Sequence, residues 1–69
     1  MPSNKIVNKK ELEERVRQLL AIDTNALDVY SDLVKNVEDQ RLKAKISEIA
    51  RDEERHIALS REVLSLLTG

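Results

Sequence analysis

The fold of this chain is decided by a short stretch, KNVEDQ, at residues 35–40. It separates two long segments without internal helix breakers, because the only glycine is Gly69 and the only proline is Pro2. Asn36 can end a helix in the left-handed conformation, and Asp39 is a good N-cap for a following helix. A connection this short predicts that the two segments form an antiparallel helical hairpin.

The hairpin accounts for nearly the whole chain of 69 residues. We predict a first helix at about residues 9–36, a turn at about 37–39 and a second helix at about 39–67. Residues 1–8 are expected to form a flexible N-terminal tail ahead of this helical part, 9–69. Leu, Glu, Lys, Arg and Ala dominate both segments, and all five are strong helix formers.

Each segment carries an apolar stripe with the alternating three- and four-residue spacing of a heptad. The first stripe consists of Leu12, Val16, Leu19, Asp23, Ala26, Tyr30, Leu33 and Val37, widened by Leu20, Leu27 and Val34. The second consists of Leu42, Ile46, Ile49, Glu53, His56, Ser60, Val63 and Leu67, widened by Ala50, Ile57 and Leu64. A lone hairpin leaves much of such wide stripes uncovered. We therefore predict an all-α protein whose hairpin dimerises into a four-helix bundle, as a homodimer or a higher even-numbered oligomer.

Composition argues against several classes of function. Charged residues make up 36% of the chain but leave a net charge of −1, whereas a nucleic-acid binder carries a basic excess. The single aromatic residue, Tyr30, provides no stacking platform for bases, and the absence of cysteine excludes disulfides and thiol chemistry. No apolar run has the length of a membrane span or of a signal-peptide core. We expect a cytoplasmic protein without nucleic-acid or membrane partners.

Ionisable residues interrupt both stripes at the same height. Glu53 and His56 are three residues apart in ARDEERHIALS, residues 50–60, so one helix face presents both side chains. Asp23, the only charged residue of the first stripe, falls opposite them across the predicted turn. No Lys or Arg lies on either stripe, so a dimer would hold two Asp and two Glu carboxylates in a poorly solvated layer. Two divalent metal ions would balance these charges; proton uptake or entry of water would also relieve them.

The side chains of this layer match the ligands of a di-metal carboxylate site. Such sites in helical bundles take a Glu from each of two helices and a Glu-x-x-His motif from each of the other two. Glu53 and His56 form this motif, and Asp23 takes the single-carboxylate position. We predict these three residues of each chain as metal ligands, with no catalytic residue beyond them. Iron, manganese, cobalt and zinc all suit oxygen and imidazole ligands.

On these residues the chain resembles a half-length member of the ferritin-like superfamily, similar to rubrerythrin-type domains and, in size, to the encapsulated ferritins. The resemblance rests on DTNALDVY at residues 23–30, on EERH at 53–56, and on the separation of 30 residues between Asp23 and Glu53. It implies a ferritin-like four-helix bundle built from two chains, with a di-iron site between them and ferroxidase-type oxidation of Fe(II) by dioxygen or peroxide. It also implies that the hydroxyl group of Tyr30 lies near a metal-bound carboxylate. The alternative is a core tyrosine whose hydroxyl bonds another buried group.

The chain departs from the family pattern in three respects. Asp23 stands where the family has Glu, and one methylene fewer shortens its reach by about 1.5 Å, which affects ferroxidase efficiency more than metal binding. The chain ends at LLTG, residues 66–69, without the targeting extension of the encapsulated ferritins, so we expect no loading into an encapsulin shell. It also lacks the Cys-x-x-Cys pair of a full rubrerythrin, so we expect no peroxidase activity of that kind.

A non-catalytic helical oligomerisation module is the alternative function. In that case the buried polar layer sets register and pairing, and no metal binds. A hydrolytic role for His56 is disfavoured because no serine or cysteine nucleophile is visibly paired with it. Asp52, Glu54 and Arg55 are expected to form a solvated face. The charges of KELEER, residues 10–15, are expected to stabilise the first helix through i,i+4 pairs.

Overall fold

The computed structural model describes residues 8–69, and they form two helices without any strand among them. Helix α1 is Lys9–Asn36 and helix α2 is Gln40–Thr68, and the two pack against each other. The prediction of an all-helical chain with two helices is confirmed for these residues. Helix α1 has the bounds expected from the sequence, whereas α2 begins and ends one residue later than expected.

Side chains cap the start of both helices. The Asn8 side chain accepts a hydrogen bond from the backbone N–H of Glu11 at 2.8 Å. Asp39, as predicted, is the N-cap of α2, and its Oδ1 accepts from the N–H groups of Arg41 and Leu42 at 2.9 and 3.1 Å. These bonds satisfy donors that have no partner within the helix. Asn8 therefore belongs to the helical part; the rest of the predicted tail lies outside the described residues.

The end of α1 does not use the left-handed conformation that the sequence allows. Asn36 can end a helix in this way, but no described residue has a positive φ. Instead Val37 leaves the helix in an extended conformation, with φ −93° and ψ 128°, while its N–H donates to the carbonyl of Leu33 at 2.9 Å. The side chain of Asn36 donates to the carbonyl of Asp32 at 2.7 Å. The extended residues of the turn reverse the chain without a left-handed residue.

Ion pairs line the exposed first turns of α1, as the sequence predicts. Glu11 pairs with Arg15 at 3.3 Å and Glu13 with Arg17 at 2.8 Å, both four residues apart. Exposed pairs of this kind stabilise a helix by about 0.2–0.5 kcal/mol each. Each pair joins two residues of α1 and therefore supports this helix locally.

The contact between α1 and α2 forms a line of buried and half-buried side chains that we call the hairpin seam. Ile57 and Leu64 are the only buried side chains among the described residues, at 7% and 9% exposure. The seam consists of Val16, Leu20, Asp23, Leu27, Tyr30 and Val34 of α1 and Ile46, Ala50, Glu53, Ile57, Ser60, Leu64 and Leu67 of α2. Positions that widened the predicted stripes, such as Leu27 and Ile57, are thus part of the seam itself.

A second line of apolar side chains lies beside the seam and is exposed. Because successive helical residues are rotated by about 100°, these side chains lie on the same side of the hairpin in both helices. We call this surface the open face: Leu12, Leu19, Ile22, Val29 and Leu33 of α1 with Leu42, Ile49, Leu59, Val63 and Leu66 of α2. Their exposed fractions run from 38% at Leu12 to 82% at Leu66. Neither helix combines the length and apolar character needed to cross a membrane.

Candidate metal centre

Glu53 lies near the middle of α2 and points into the hairpin seam. Its side chain is only 18% exposed, and its Oε1 atom is buried without a hydrogen-bond partner. A buried polar atom left without a partner costs about 1–3 kcal/mol, and more when the group is charged. A cation or a hydrogen-bond donor at Oε1, a water molecule included, would remove this cost, which makes Glu53 a candidate ligand.

His56 lies one turn further along α2 and is 64% exposed. Its Nδ1 is 3.9 Å from Glu53 Oε1, which is too long for a hydrogen bond. Two atoms bound to one tetrahedral zinc ion at about 2.0–2.2 Å lie about 3.4 Å apart, so the two side chains must move closer together to share an ion. Along the chain His56 is midway between Ile49 and Val63 and therefore interrupts the open face. The Glu-x-x-His motif thus joins the two surfaces, since Glu53 belongs to the seam and His56 to the open face.

Asp23 is half-buried in the seam on α1. The residues that follow Asp23 and Glu53, Thr24 and Glu54, line one cavity on the side of the hairpin away from the open face. This common lining places Asp23 and Glu53 at the same level of the hairpin. None of the ion pairs formed within residues 8–69 includes Asp23.

A single chain brings together only part of the predicted ligand set. Within the described range, no group of three or more His, Cys, Asp or Glu side chains is arranged to hold a metal ion. The structure pairs Glu53 with His56 and holds Asp23 across the seam. Tyr30 is half-buried two turns after Asp23, and its proximity to a metal-bound carboxylate stays a prediction.

The charged residues next to the motif are exposed, as the sequence predicts. Arg55 Nη2 lies 3.7 Å from Asp52 Oδ1, and the two side chains are 73% and 63% exposed. Glu54 is also exposed. Among the described residues, His56 is the one basic side chain within ion-pair distance of Glu53. No permanent cation of the hairpin therefore neutralises the carboxylate at Oε1.

The opposite side of the hairpin carries a shallow groove that the sequence did not suggest. One part has a volume of about 460 Å³ and another about 270 Å³. Arg61 lines both parts, together with Thr24, and the acidic residues Asp28 and Glu54 each line one of them. Both signs of charge are present, so the groove does not select a cation or an anion.

Comparison with known proteins gives no family name. No family model, no curated protein and no solved structure matches this chain. The ferritin-like relationship therefore stays a prediction that rests on Asp23, Tyr30 and the Glu53–His56 motif.

Proposed function

We propose that this chain is a metal-binding, ferritin-like protein that handles iron. Two hairpins pair through their open faces, and Asp23, Glu53 and His56 of each chain hold two metal ions between them. The observation that carries the proposal is the buried, unpartnered Oε1 of Glu53, next to an imidazole on an otherwise apolar surface.

The open face supports the pairing. No side chain of the described hairpin is fully buried, whereas ten large apolar side chains are exposed. Complete burial of one such side chain is worth about 1.5–3 kcal/mol, so covering this face would be a large gain. A second copy is a partner whose surface has the same shape and character, and it supplies the second layer that a stable domain needs.

The position of His56 supports a site shared between chains. Its side chain is largely exposed in the lone hairpin, while Glu53 is mostly buried one turn away. When two open faces meet, each imidazole comes into the interface at the level of the carboxylates from both chains. The dimer then holds four carboxylates and two imidazoles at one level, and two divalent cations neutralise the carboxylates.

The ligand types support iron and its oxidation. Carboxylate oxygens with one imidazole per metal suit Fe(II), and they stabilise the higher charge of Fe(III). In the proposed activity Fe(II) is the substrate. Two Fe(II) ions become Fe(III) and give up two electrons, which with two protons from water would reduce dioxygen to hydrogen peroxide or hydrogen peroxide to two water molecules. The residues of the chain bind the ions and hold them next to each other, which is a positioning role.

Native mass spectrometry after addition of Fe(II) tests the metal site. An even number of chains with one metal per chain is expected, because the proposed dimer holds two ions. Glu53→Gln should lose the metal, whereas Glu54→Gln, an equal change of charge on the adjacent exposed residue, should keep it. Even-numbered assemblies that bind neither iron, manganese nor zinc would refute the metal site and leave the oligomerisation module as the function.

A separate assay tests the oxidation. Under air, the wild-type protein should convert Fe(II) to Fe(III) faster than buffer does, as followed by the near-ultraviolet absorbance of Fe(III). His56→Ala should reduce the rate to that of buffer, whereas substitution of the exposed Arg55 by Ala should not. Metal binding without any acceleration would restrict the function to iron binding, which is the consequence expected if the shorter side chain of Asp23 weakens the site.

A further inference from the structure

We infer that the two chains pair antiparallel, with α2 of one chain lying on α2 of its partner, and that Asp52 of each chain faces the partner's His56. The inference rests on the proposed dimer. It adds the orientation of the two hairpins and assigns a role to a residue outside the ligand set.

The open side of α2 carries two heptad lines rather than one. The first line is Leu42, Ile49, His56 and Val63, and the second is Lys45, Asp52, Leu59 and Leu66. Together they repeat at alternating intervals of three and four residues, which is the pattern of a helix that packs on another helix. The hairpin seam uses other positions of α2, so this pattern specifies a second helical partner.

The two lines complement each other when one copy of α2 is reversed. When residue 54 is the centre of the reversal, four pairs of positions face each other. These are Leu42 with the partner's Leu66, Ile49 with the partner's Leu59, Lys45 with the partner's Val63, and Asp52 with the partner's His56. The apolar pairs lie towards the ends, the aliphatic stem of Lys45 can cover a valine, and the polar pair lies at the centre. Every exposed leucine and isoleucine of α2 thus acquires an apolar neighbour.

The centre of this reversal coincides with the centre of the hairpin. Residue 54 is the midpoint of α2, and Glu54 lines the same cavity as Thr24 of α1. Reversal of α1 about residue 24 places Leu19 on the partner's Val29 and Ile22 on the partner's Ala26. A twofold axis at this level, perpendicular to the helices, therefore lets the two hairpins cover each other along their whole length.

The opposite orientation pairs unlike groups. If the loops of the two chains lay at the same end, α1 would pack on the partner's α2. His56 would then face the partner's Ile22, and Asp52 would face the partner's Ala26. An imidazole and a carboxylate would be covered by aliphatic groups without a hydrogen-bond partner, which is unfavourable. Antiparallel pairing gives each of these groups a polar partner, so the polar residues decide the orientation.

Asp52 then has a positioning role. In the lone hairpin it is 63% exposed and makes only a long contact with Arg55, a type of pair that contributes little. A metal-bound histidine commonly donates its other ring N–H to a carboxylate, which fixes the orientation of the ring. The carboxylate of Asp52 accepts that bond from the partner's His56. It thereby holds the imidazole in place without binding the metal itself.

Engineered disulfides test the orientation cleanly because the chain has no cysteine. In the double variant Leu42→Cys/Leu66→Cys, the two positions of one chain are about 36 Å apart along α2, so a disulfide must join two chains. Antiparallel pairing places position 42 of each chain next to position 66 of the partner. Their Cα atoms then lie within the roughly 7 Å that a disulfide allows. The control Leu42→Cys/Leu59→Cys shifts one partner by a heptad and should form much less covalent dimer.

The outcomes separate the orientation from the proposed function. A covalent dimer specific to the first variant, with two Fe(II) ions per dimer in native mass spectrometry, supports both. A non-covalent dimer that holds two ions but forms no disulfide overturns the orientation and keeps the function. A disulfide-linked dimer without metal keeps the orientation and refutes the metal site.

A metal titration tests the role of Asp52. With Co(II) alone as the probe, followed by its visible absorption, Asp52→Ala should bind about 10- to 100-fold more weakly than wild type. Asp52→Asn, whose amide oxygen still accepts a hydrogen bond, should recover part of the loss. Glu54→Ala, the same change of charge on a residue away from the open face, should bind as wild type. Equal affinity of Asp52→Ala and wild type would overturn the assignment.

Discussion

The hairpin seam and the open face are two surfaces of the same helices, with the same spacing and similar residues, yet they differ in what covers them. The seam buries Ile57 to 7% exposure, while the open face leaves Leu66 at 82%. Two neighbouring heptad lines on one helix therefore differ in their surroundings. One line packs against the other helix of the same chain, and the second stays exposed in the single chain.

The Glu-x-x-His motif connects these two surfaces. Glu53 lies in the seam, and His56 lies three residues later on the open face. A metal ion that binds both would depend on the fold of the hairpin through Glu53 and on the pairing of two chains through His56. In the single chain Glu53 is mostly buried with an unpartnered oxygen, while its neighbour in the motif is exposed.

The largest expected effect comes from the seam. Ile57→Ala should lower the free energy of unfolding by about 2–5 kcal/mol, because it removes apolar contacts from one of two buried side chains. Urea unfolding followed by circular dichroism measures the loss. The matched control is Leu59→Ala, which is 52% exposed on the same helix. If Leu59→Ala lowers the free energy of unfolding as much as Ile57→Ala does in dilute, monomeric protein, the seam and the open face do not differ in burial.

The next effect concerns the open face. Leu59→Glu should raise the dissociation constant of the dimer about 100-fold, since an effect near 2.7 kcal/mol is expected when a charge replaces an interface leucine. Sedimentation equilibrium measures the constant, and circular dichroism should show an intact helical hairpin. Ala58→Glu adds the same charge one residue away, on the groove side, and should leave the constant unchanged. A wild-type chain that stays monomeric at millimolar concentration would contradict the pairing altogether.

The sequence was sufficient to predict the hairpin but not to separate its two surfaces. Heptad spacing, the absence of internal Gly and Pro, and Asp39 predicted two helices and their connection. The predicted stripe of α1 nevertheless combined seam residues such as Val16 with open-face residues such as Leu19. Both lines have the same period. The rotation of each helix about its own axis decides which line faces the other helix, and this rotation depends on the geometry of the turn. The sequence left that geometry open, because Asn36 can end a helix in the left-handed conformation but does not do so here.

The residues of the candidate site stay a prediction, and the sequence did not indicate how far each of them is buried. The sequence placed Asp23 and Glu53 at one height, and the cavity lined by the residues that follow them is consistent with that placement. It did not indicate that Glu53 is mostly buried while His56 is exposed, because a three-residue step keeps both on one side of a helix. The difference in burial arises because the edge of the seam passes between Glu53 and His56. Where this edge lies depends on how the two helices pack.

A smaller effect concerns the place where both surfaces meet. Glu53→Leu should stabilise the metal-free protein by about 1–2 kcal/mol, because an apolar side chain of similar size replaces a buried oxygen without a partner. Thermal melting with a chelator measures this gain. Addition of Fe(II) should raise the melting temperature of the wild type and leave that of the variant unchanged. An ion stabilises a folded protein only if that folded protein binds it. Glu54→Leu, on an exposed position, is the control; a destabilised Glu53→Leu hairpin would contradict the unfavourable burial of the carboxylate.

The smallest expected effect separates the fold from the pairing through a residue that belongs to neither surface. Asp39→Ala removes the side-chain acceptor of two backbone N–H groups at the start of α2 and should cost about 1 kcal/mol of hairpin stability. Glu38→Ala, a neighbouring exposed acid, should cost less because Glu38 is not the cap. The dissociation constant of the dimer should be the same for both variants, since the cap fixes where α2 begins and not which side chains it exposes. A weaker dimer for Asp39→Ala alone would show that the cap also sets the rotation of α2, and thus that the turn controls how well the open face is presented.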